Sequence, residues 1–408
     1  MSLTRRLAIL GTGTALAVAT AVSGMGAATA SQVSHATVSP PILVKVLGHL
    51  ANGKPMLSNA TPTGLPPSAI QSVYNLSGLS PSSGAGAGQI IAIVDAYNDP
   101  NALSDLNTFN AQYGYAQLST CTSLTQSGPC FEQVFAQGSK PKTNSGWVLE
   151  ESLDIEWAHA EAPAAKIVLV EAASNSFSNL FGAIVAANNL SANVVSMSWG
   201  GGESSSETST DSDFTHAGTF YTASSGDSGH GVIYPSASPN VIAVGGTTLN
   251  GCSGTKCSFT SETAWSGSGG GISADEALPG YQSSYTGPVS GASSISALTG
   301  GKRGVPDVSF EANPNTGVSV FDSTADQGQS GWFTIGGTSV GAPNWAGILA
   351  AGTAAGKTAL QGDSAIYSGG FSTLRDVTSG TNGTCGTDCT AGTGYDLVTG
   401  LGSPINYP

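Results

Sequence analysis

The segment Ile90-Ile91-Ala92-Ile93-Val94 constrains the fold most. Five consecutive apolar residues, mostly β-branched, suit a strand buried on both faces and are too few for an ordinary helix. Runs of the same kind return at 167–170, 194–198, 220–223 and 241–244. Helical periodicity fills the gaps at 102–113, 147–161 and 177–189, and a further helix is expected over 205–216. Buried strands alternating with helices predict an α/β fold: a mostly parallel central sheet with helices on both faces, in one large domain. A short helix opens at Pro66-Pro67-Ser68, and an alanine-rich one is expected from 339 to 356. Residues 250–300 read as long Gly/Ser-rich loops with strands, and the tail from 371 reads as turns.

The chain has 408 residues, enough for a large core, and only 9% of them are charged, with a net charge of −14. A nucleic-acid binder would need the opposite sign, so no nucleic-acid partner is expected. Low charge with excess acid suits a protein working in acid, because protonating carboxylates brings the net charge towards zero. Mild acidity is also common among secreted proteins, so composition does not choose between these readings.

Arg5 and Arg6, an apolar stretch over 7–22 and the small-residue triplet Ala28-Thr29-Ala30 have the form of a secretory signal over 1–30. The paired arginines also allow a twin-arginine route. No later apolar run is long enough for a bilayer, so the mature chain is expected to be secreted, without a membrane partner and as a monomer. Residues 31–64 are polar and proline-dotted, a short N-terminal arm. Six cysteines fall in three close pairs: Cys121 with Cys130, Cys252 with Cys257, and Cys385 with Cys389. Fifteen connectivities exist for six cysteines, and neighbour pairing is the simplest. No histidine lies at ligand spacing in sequence from these pairs, so zinc is not expected.

Three segments carry chemistry. On the helix over 147–161, Leu149, Leu153 and Trp157 form a core stripe. Glu150 and Asp154 lie one turn apart, separated by about 40° around the axis. Two such carboxyls share their titration, and one can accept a proton while the other orients it. Glu151, Glu156 and Glu161 read as solvated. Ser339, in Gly337-Thr338-Ser339-Val340-Gly341-Ala342-Pro343, opens a helix whose free N–H groups can stabilise an oxyanion. Asp227, in Ser225-Gly226-Asp227-Ser228-Gly229, follows a strand. If protonated, it can donate a hydrogen bond to that oxyanion. Taken singly, each segment also reads as a helix face, a helix cap or a turn.

The ordered set resembles the sedolisin family of serine-carboxyl peptidases, which share the subtilisin fold. Glu150-x-x-Leu153-Asp154, Ser225-Gly226-Asp227-x-Gly229 and Gly337-Thr338-Ser339-x-x-x-Pro343 match its three site motifs. Val194-Val195-Ser196-Met197-Ser198-Trp199-Gly200, Tyr234-Pro235-Ser236-Ala237-Ser238-Pro239, Ser268-Gly269-Gly270-Gly271 and Gly304-Val305-Pro306-Asp307 extend the likeness over 65–408. The resemblance implies a peptidase domain with Ser339 as nucleophile, Glu150 as base, Asp154 as its partner and Asp227 as oxyanion donor. The expected activity is endopeptidase cleavage of proteins or peptides in acid, through an acyl-enzyme. It also implies one calcium ion, with Asp376, Val377, Gly392, Gly394 and Asp396 as ligands, an oxygen set that suits this hard cation. Ser198, Trp199, Gly200 and Gly201, with Ser268, Gly269 and Gly270, are expected to hold substrate through free backbone edges. The family carries a large pro-domain. Here only the arm over 31–64 precedes the catalytic region, as a reduced pro-segment or with no such role.

Two other readings stay open. A Ser–His–Asp triad would use Asp95, His159 and Ser339, but His159 is nine residues from Glu150 and points about 180° away on the same helix. A secreted binding protein without activity would have no use for Glu150, Asp154, Asp227 and Ser339 together.

Overall fold

The computed structural model describes residues 37–38, 43–44, 61–326 and 328–407. The expected export signal over 1–30 lies outside the described residues, as does most of the arm over 31–64. The apolar runs form a sheet in the spatial order Lys256–Ala264, Ile242–Ser253, Phe220–Ser224, Val194–Met197, Ile90–Ala96, Lys166–Ala172, Phe131–Phe135. Neighbours pair in parallel throughout, except Lys256–Ala264, which is antiparallel. Val308–Glu311 adds a further parallel pairing on Ile242–Ser253. This is the subtilisin-like α/β architecture. Loops at the carboxyl ends of such strands carry the site.

The helices Ala102–Tyr113 and Phe177–Asn189 lie where periodicity puts them. The stretch 205–216 is instead two short 3₁₀ turns, Glu207–Ser209 and Asp211–Phe214. Hydroxyls explain the difference: Ser209, Thr210 and Thr215 each bond a backbone carbonyl three residues back, which competes with a helical ladder. Residues 250–300 are more regular than expected, because Ile242–Ser253 and Lys256–Ala264 make a long hairpin. A second hairpin, Val318–Asp326 with Gln329–Gly336, has no counterpart in the sequence reading.

The helix Ser145–Glu161 is the centre of the molecule. The Asn144 side chain caps it by accepting from the Trp147 N–H at 3.3 Å. Every residue from Trp147 to Glu161 is buried. The strand Ile90–Ala96, the helices Ala102–Tyr113 and Gly341–Ala354 and the hairpin strand Val318–Asp326 enclose it. Leu149, Leu153 and Trp157 are at most 1% exposed, and burial of each contributes about 1.5–3 kcal/mol. Glu151, Glu156 and Glu161, expected in solvent, are fully buried. Glu156 accepts from the Phe321 N–H at 3.1 Å, and Glu161 accepts from Gln71 at 3.4 Å. The hairpin covers Glu156, and the helix Pro67–Val73 brings Gln71 over Glu161.

The structure joins Cys121 to Cys130, Cys252 to Cys257 and Cys385 to Cys389 as disulfides.

Candidate active site

Ser339 sits in the 3₁₀ turn Thr338–Val340, which hands over to the helix Gly341–Ala354. Gly337 precedes it with φ of 106°, a conformation that side chains other than hydrogen resist. This sharp entry turns the chain from the strand Gln329–Gly336 into the helix and leaves Ser339 at the junction.

The carboxyls approach from three directions. Asp154 accepts the Ser198 hydroxyl at 2.9 Å, and that hydroxyl also lies 3.3 Å from the Ser339 carbonyl. Ser198 therefore ties the acid helix to the turn that carries Ser339. Neither Glu150 oxygen has a partner at ordinary hydrogen-bond distance among the described residues. Burial first, then the charge of Asp95, pushes its carboxyl well above the usual range, while the Ser339 and Ser198 hydroxyls favour its ionised form. Asp154 is raised by burial, by Asp95 and by Glu150, in that order.

Asp227 follows the strand Phe220–Ser224 and reaches the turn Thr338–Val340. One of its oxygens accepts both the N–H and the hydroxyl of Thr338, each at 2.8 Å. The other oxygen is buried without a hydrogen-bond partner among the described residues. Burial raises its carboxyl to about 7, against the two Thr338 bonds. Below that pH the second oxygen carries a proton and is a donor.

Asp95, which the sequence offers only to the Ser–His–Asp reading, belongs to this group. It is fully buried at the end of Ile90–Ala96, beside Glu171 in register, and its charge bears on both Glu150 and Asp154. Glu151, one step along the helix, faces Glu171, Asp99, Asp95 and Asp154 and is likewise raised by burial first. One signal pointed to this: the stretch 147–161 holds five carboxylates and no lysine or arginine to neutralise them. His159 is buried, with both ring nitrogens unpartnered among the described residues, beside Tyr115. Burial lowers it to about 4. It stays on the opposite side of the helix from Glu150, and the triad reading has no geometry here.

The expected substrate edges need revision. Ser198 is buried behind the site. Trp199 is fully buried, donating its indole N–H to the Val94 carbonyl at 2.7 Å, so it packs in the core instead of walling a subsite. Ser268, Gly269 and Gly270 are buried. Their backbone groups are already used: the Gly269 N–H donates to Gly226, and Gly270 and Gly231 exchange hydrogen bonds at 2.8 Å. A Cβ on Gly269 would lie 1.9 Å from the Ser225 carbonyl. This segment braces the Asp227 loop. Gly200 and Gly201 remain partly exposed beside the site.

Near the C-terminus, Asp376 and Asp396 converge on one turn. Asp376 accepts the Gly394 N–H, and Asp396 accepts those of Gly392, Val398 and Thr399, all at 2.8–2.9 Å. The Val377 carbonyl lies beside them, accepting from Thr399 at 3.3 Å. Burial raises both acids, Asp396 to about 6. Neither belongs to the ion pairs found among the described residues, Arg303–Asp307 and Arg375–Glu262. Two uncompensated carboxylates on one turn, beside a cavity of about 200 Å³, fit a hard cation. His230 comes close to Cys385 and Cys389 in space. The two sulfurs are bonded to each other, so no thiolate ligand is available.

A serine held among carboxyls in this fold defines the class, and comparison agrees. The pattern of the Subtilase family matches residues 143–364, and the chain belongs to that family. Within it the sedolisin likeness holds. Sedolisin of Pseudomonas sp. (strain 101) is 28% identical, over 85% of this chain and 61% of that protein. Kumamolisin of Bacillus sp. (strain MN-32) is 32% identical, over 85% of this chain and 63% of that one. The chain thus spans about three fifths of the length of these relatives. A solved structure of Pseudomonas sedolisin, a serine-carboxyl proteinase complexed with two molecules of pseudo-iodotyrostatin, superposes with a TM-score of 0.67 at 27% identity. That match covers 85% of this chain and 96% of that one. The S41 psychrophilic protease shares the fold at 21% identity, with a TM-score of 0.52, over 85% of this chain and all of that one.

Proposed function

We propose that this chain is a serine-carboxyl peptidase that cuts proteins or peptides in acid. The observation that carries the reading is the meeting of Glu150, Asp154 and Asp227 around Ser339, with the one histidine of the acid helix on its far side. Glu150 takes the Ser339 proton as the hydroxyl attacks the scissile carbonyl. Asp154 and Ser198 fix the geometry. The negative oxygen of the tetrahedral intermediate receives the proton-bearing oxygen of Asp227 as its donor. Glu150 then gives its proton to the leaving amine, and water releases the acyl group by the reverse path.

Export fits the reading. Residues 1–30 have the form of a secretory signal, three disulfides suit an oxidising compartment, and no helix among the described residues is long and apolar enough to cross a membrane. Calcium, held by Asp376, Asp396 and the carbonyls of Val377, Gly392 and Gly394, would neutralise two acids and lock the C-terminal turn.

The test is hydrolysis of a denatured protein against pH, run on the full chain and on Ser339→Ala and Glu150→Gln. Both variants should fold and lose turnover by at least about 10³-fold. Full activity in Ser339→Ala ends the assignment.

A further inference from the structure

The loop that carries Asp227 runs on to His230, and there it meets the C-terminal disulfide. The His230 N–H donates to the Asn382 carbonyl at 2.8 Å, and the Asn382 N–H donates to the Cys389 carbonyl at 3.1 Å. The Asn382 side-chain amide donates to the Ser268 carbonyl at 2.9 Å, which anchors the disulfide loop to the domain. A Cβ on Gly383 would lie 2.7 Å from the Cys389 Sγ and 3.2 Å from the His230 Cβ, so only glycine lets the histidine close on the sulfur. A Cβ on Gly271 would lie 3.0 Å from the His230 Cε1, so glycine there leaves room for the ring. The ligand atoms of His230, Cys385 and Cys389 all lie within 4.8 Å of one another. Among the described residues, no other three histidine, cysteine or acidic side chains converge so closely.

We propose that His230, Cys385 and Cys389 bind one zinc ion when the two sulfurs are thiols, and that forming the disulfide excludes the metal. Cysteines as close as Cys385 and Cys389 are usual in zinc sites, and their Cα atoms are 5.3 Å apart. The third ligand is hidden in the sequence, because His230 lies far upstream and only the fold brings it in. Zinc bonds of about 2.3 Å to sulfur and about 2.0 Å to nitrogen put tetrahedral ligands roughly 3.5–3.8 Å apart. Side-chain rotation reaches that spacing from the distances seen here. Two thiolates cancel the charge of a divalent ion, and thiolate with imidazole favours zinc over the hard cation expected at Asp376 and Asp396. His230 and Cys385 are exposed, so water can complete the fourth position.

A newly made chain carries both sulfurs as thiols, because disulfides form in an oxidising compartment. Binding zinc then releases the two thiol protons to solvent. A finished chain reaches the same state with a water-soluble phosphine. The sulfur–sulfur bond breaks, two thiols form, and the phosphine takes oxygen from water to become its oxide. Disulfide and zinc are thus alternatives for the same two sulfurs. The site takes no part in the proposed hydrolysis, so it stands or falls apart from the peptidase reading.

The test measures zinc(II) binding to the full chain at about pH 7 by competition with a chromophoric chelator. Excess calcium keeps the carboxylates near the C-terminus occupied. The phosphine-reduced chain should bind one zinc ion more than the oxidised chain. His230→Ala and Cys385→Ser should each weaken that binding at least about tenfold, a loss seen even for groups behind the ligands. The double variant Cys252→Ser, Cys257→Ser should bind as the unaltered reduced chain does. Zinc should raise the unfolding temperature of the reduced chain and leave that of reduced His230→Ala unchanged. Thiols of a loosened chain would hold zinc without regard to His230, so equal affinity in His230→Ala would overturn the proposal. Equal binding by the oxidised and reduced chains would overturn it as well.

Discussion

The backbone N–H and the hydroxyl of Thr338 both donate to a single oxygen of Asp227, at 2.8 Å each. This fixes the carboxyl plane and assigns the acceptor oxygen, so the other, buried and unpartnered among the described residues, is left for the proton. The turn that carries Ser339 thus orients the Asp227 carboxyl, since Thr338 is the residue before Ser339.

Asp227→Ala should lower kcat by about 10²–10³-fold with little effect on KM, the usual result of removing one oxyanion donor. Asp227→Asn is the sharper variant. Its amide can keep a donor at the same place at every pH, so more activity should survive than in the alanine form. The native chain should lose activity as pH rises through about 7, where Asp227 gives up its proton. That alkaline decline should be absent or moved upward in Asp227→Asn. An unchanged profile would remove Asp227 from the oxyanion role.

Buried carboxyls elsewhere predict an unusual stability curve. Burial first raises Asp99 and Glu171 to about 7, and Glu161 and Asp322 to about 8. A carboxyl raised in the folded state holds a proton that the unfolded chain has already lost. Its stabilising contribution is therefore complete below about 4 and is lost as pH rises through the folded value. His159 works the other way: lowered to about 4, it favours the fold above about 6.5 and loses that contribution as pH falls through about 4. One imidazole is outweighed by several carboxyls. Thermal unfolding should show the midpoint falling between pH 5 and pH 8, by an amount corresponding to several kcal/mol. A midpoint that rises across this interval would contradict the burial of these acids.

The sequence exposes these features unevenly. The strands and the helices Ala102–Tyr113 and Phe177–Asn189 are legible because apolar residues fall at the right period. Glu150, Asp154, Asp227 and Ser339 are legible as motifs. The burial of Glu151, Glu156 and Glu161 is not, because periodicity assumes one wet face and this helix has none. Glu156 is covered by the hairpin Val318–Asp326 and Gln329–Gly336, whose Ser, Thr, Asp and Gly content hides it from pattern reading, whereas Glu161 meets Gln71 and Glu151 faces Glu171 and Asp99. Trp199 fails for a related reason: its neighbours are glycines and polar residues, yet its indole reaches inward to Val94.

The buried pair Arg303–Asp307 offers a test of the frame. Asp307 accepts two guanidinium N–H groups at 2.6 and 2.7 Å, and also the Tyr367 hydroxyl and the Ala243 N–H. The pair joins the strand Lys302–Val305 to the start of Ile242–Ser253. Asp307→Ala should cost about 3–5 kcal/mol, because it leaves a fully buried guanidinium without its partner. Urea unfolding measures this directly, and a loss below about 1 kcal/mol would mean that Arg303 reaches solvent.

Calcium should matter most where Asp376 and Asp396 both bond the turn 392–396. Burial raises Asp396 to about 6 and raises Asp376 as well, so above that pH both carboxyls bonded to the turn 392–396 are charged ligands for a cation. A divalent ion bound to the folded chain and not to the unfolded one stabilises the fold in proportion to its occupancy. Chelation with EDTA at pH 7 should therefore lower the unfolding temperature, and added calcium should restore it. At pH 4 the same chelator should do little, because protonated carboxyls bind calcium weakly. Asp376→Asn should abolish the calcium response while leaving Ser339 chemistry intact at pH 4. The Ser339 site lies on other elements of the domain, so this variant separates a structural ion from a catalytic one. An unfolding temperature indifferent to chelator at pH 7 would rule out the ion, and an Asp376→Asn variant inactive at pH 4 would give the turn a role in the reaction itself.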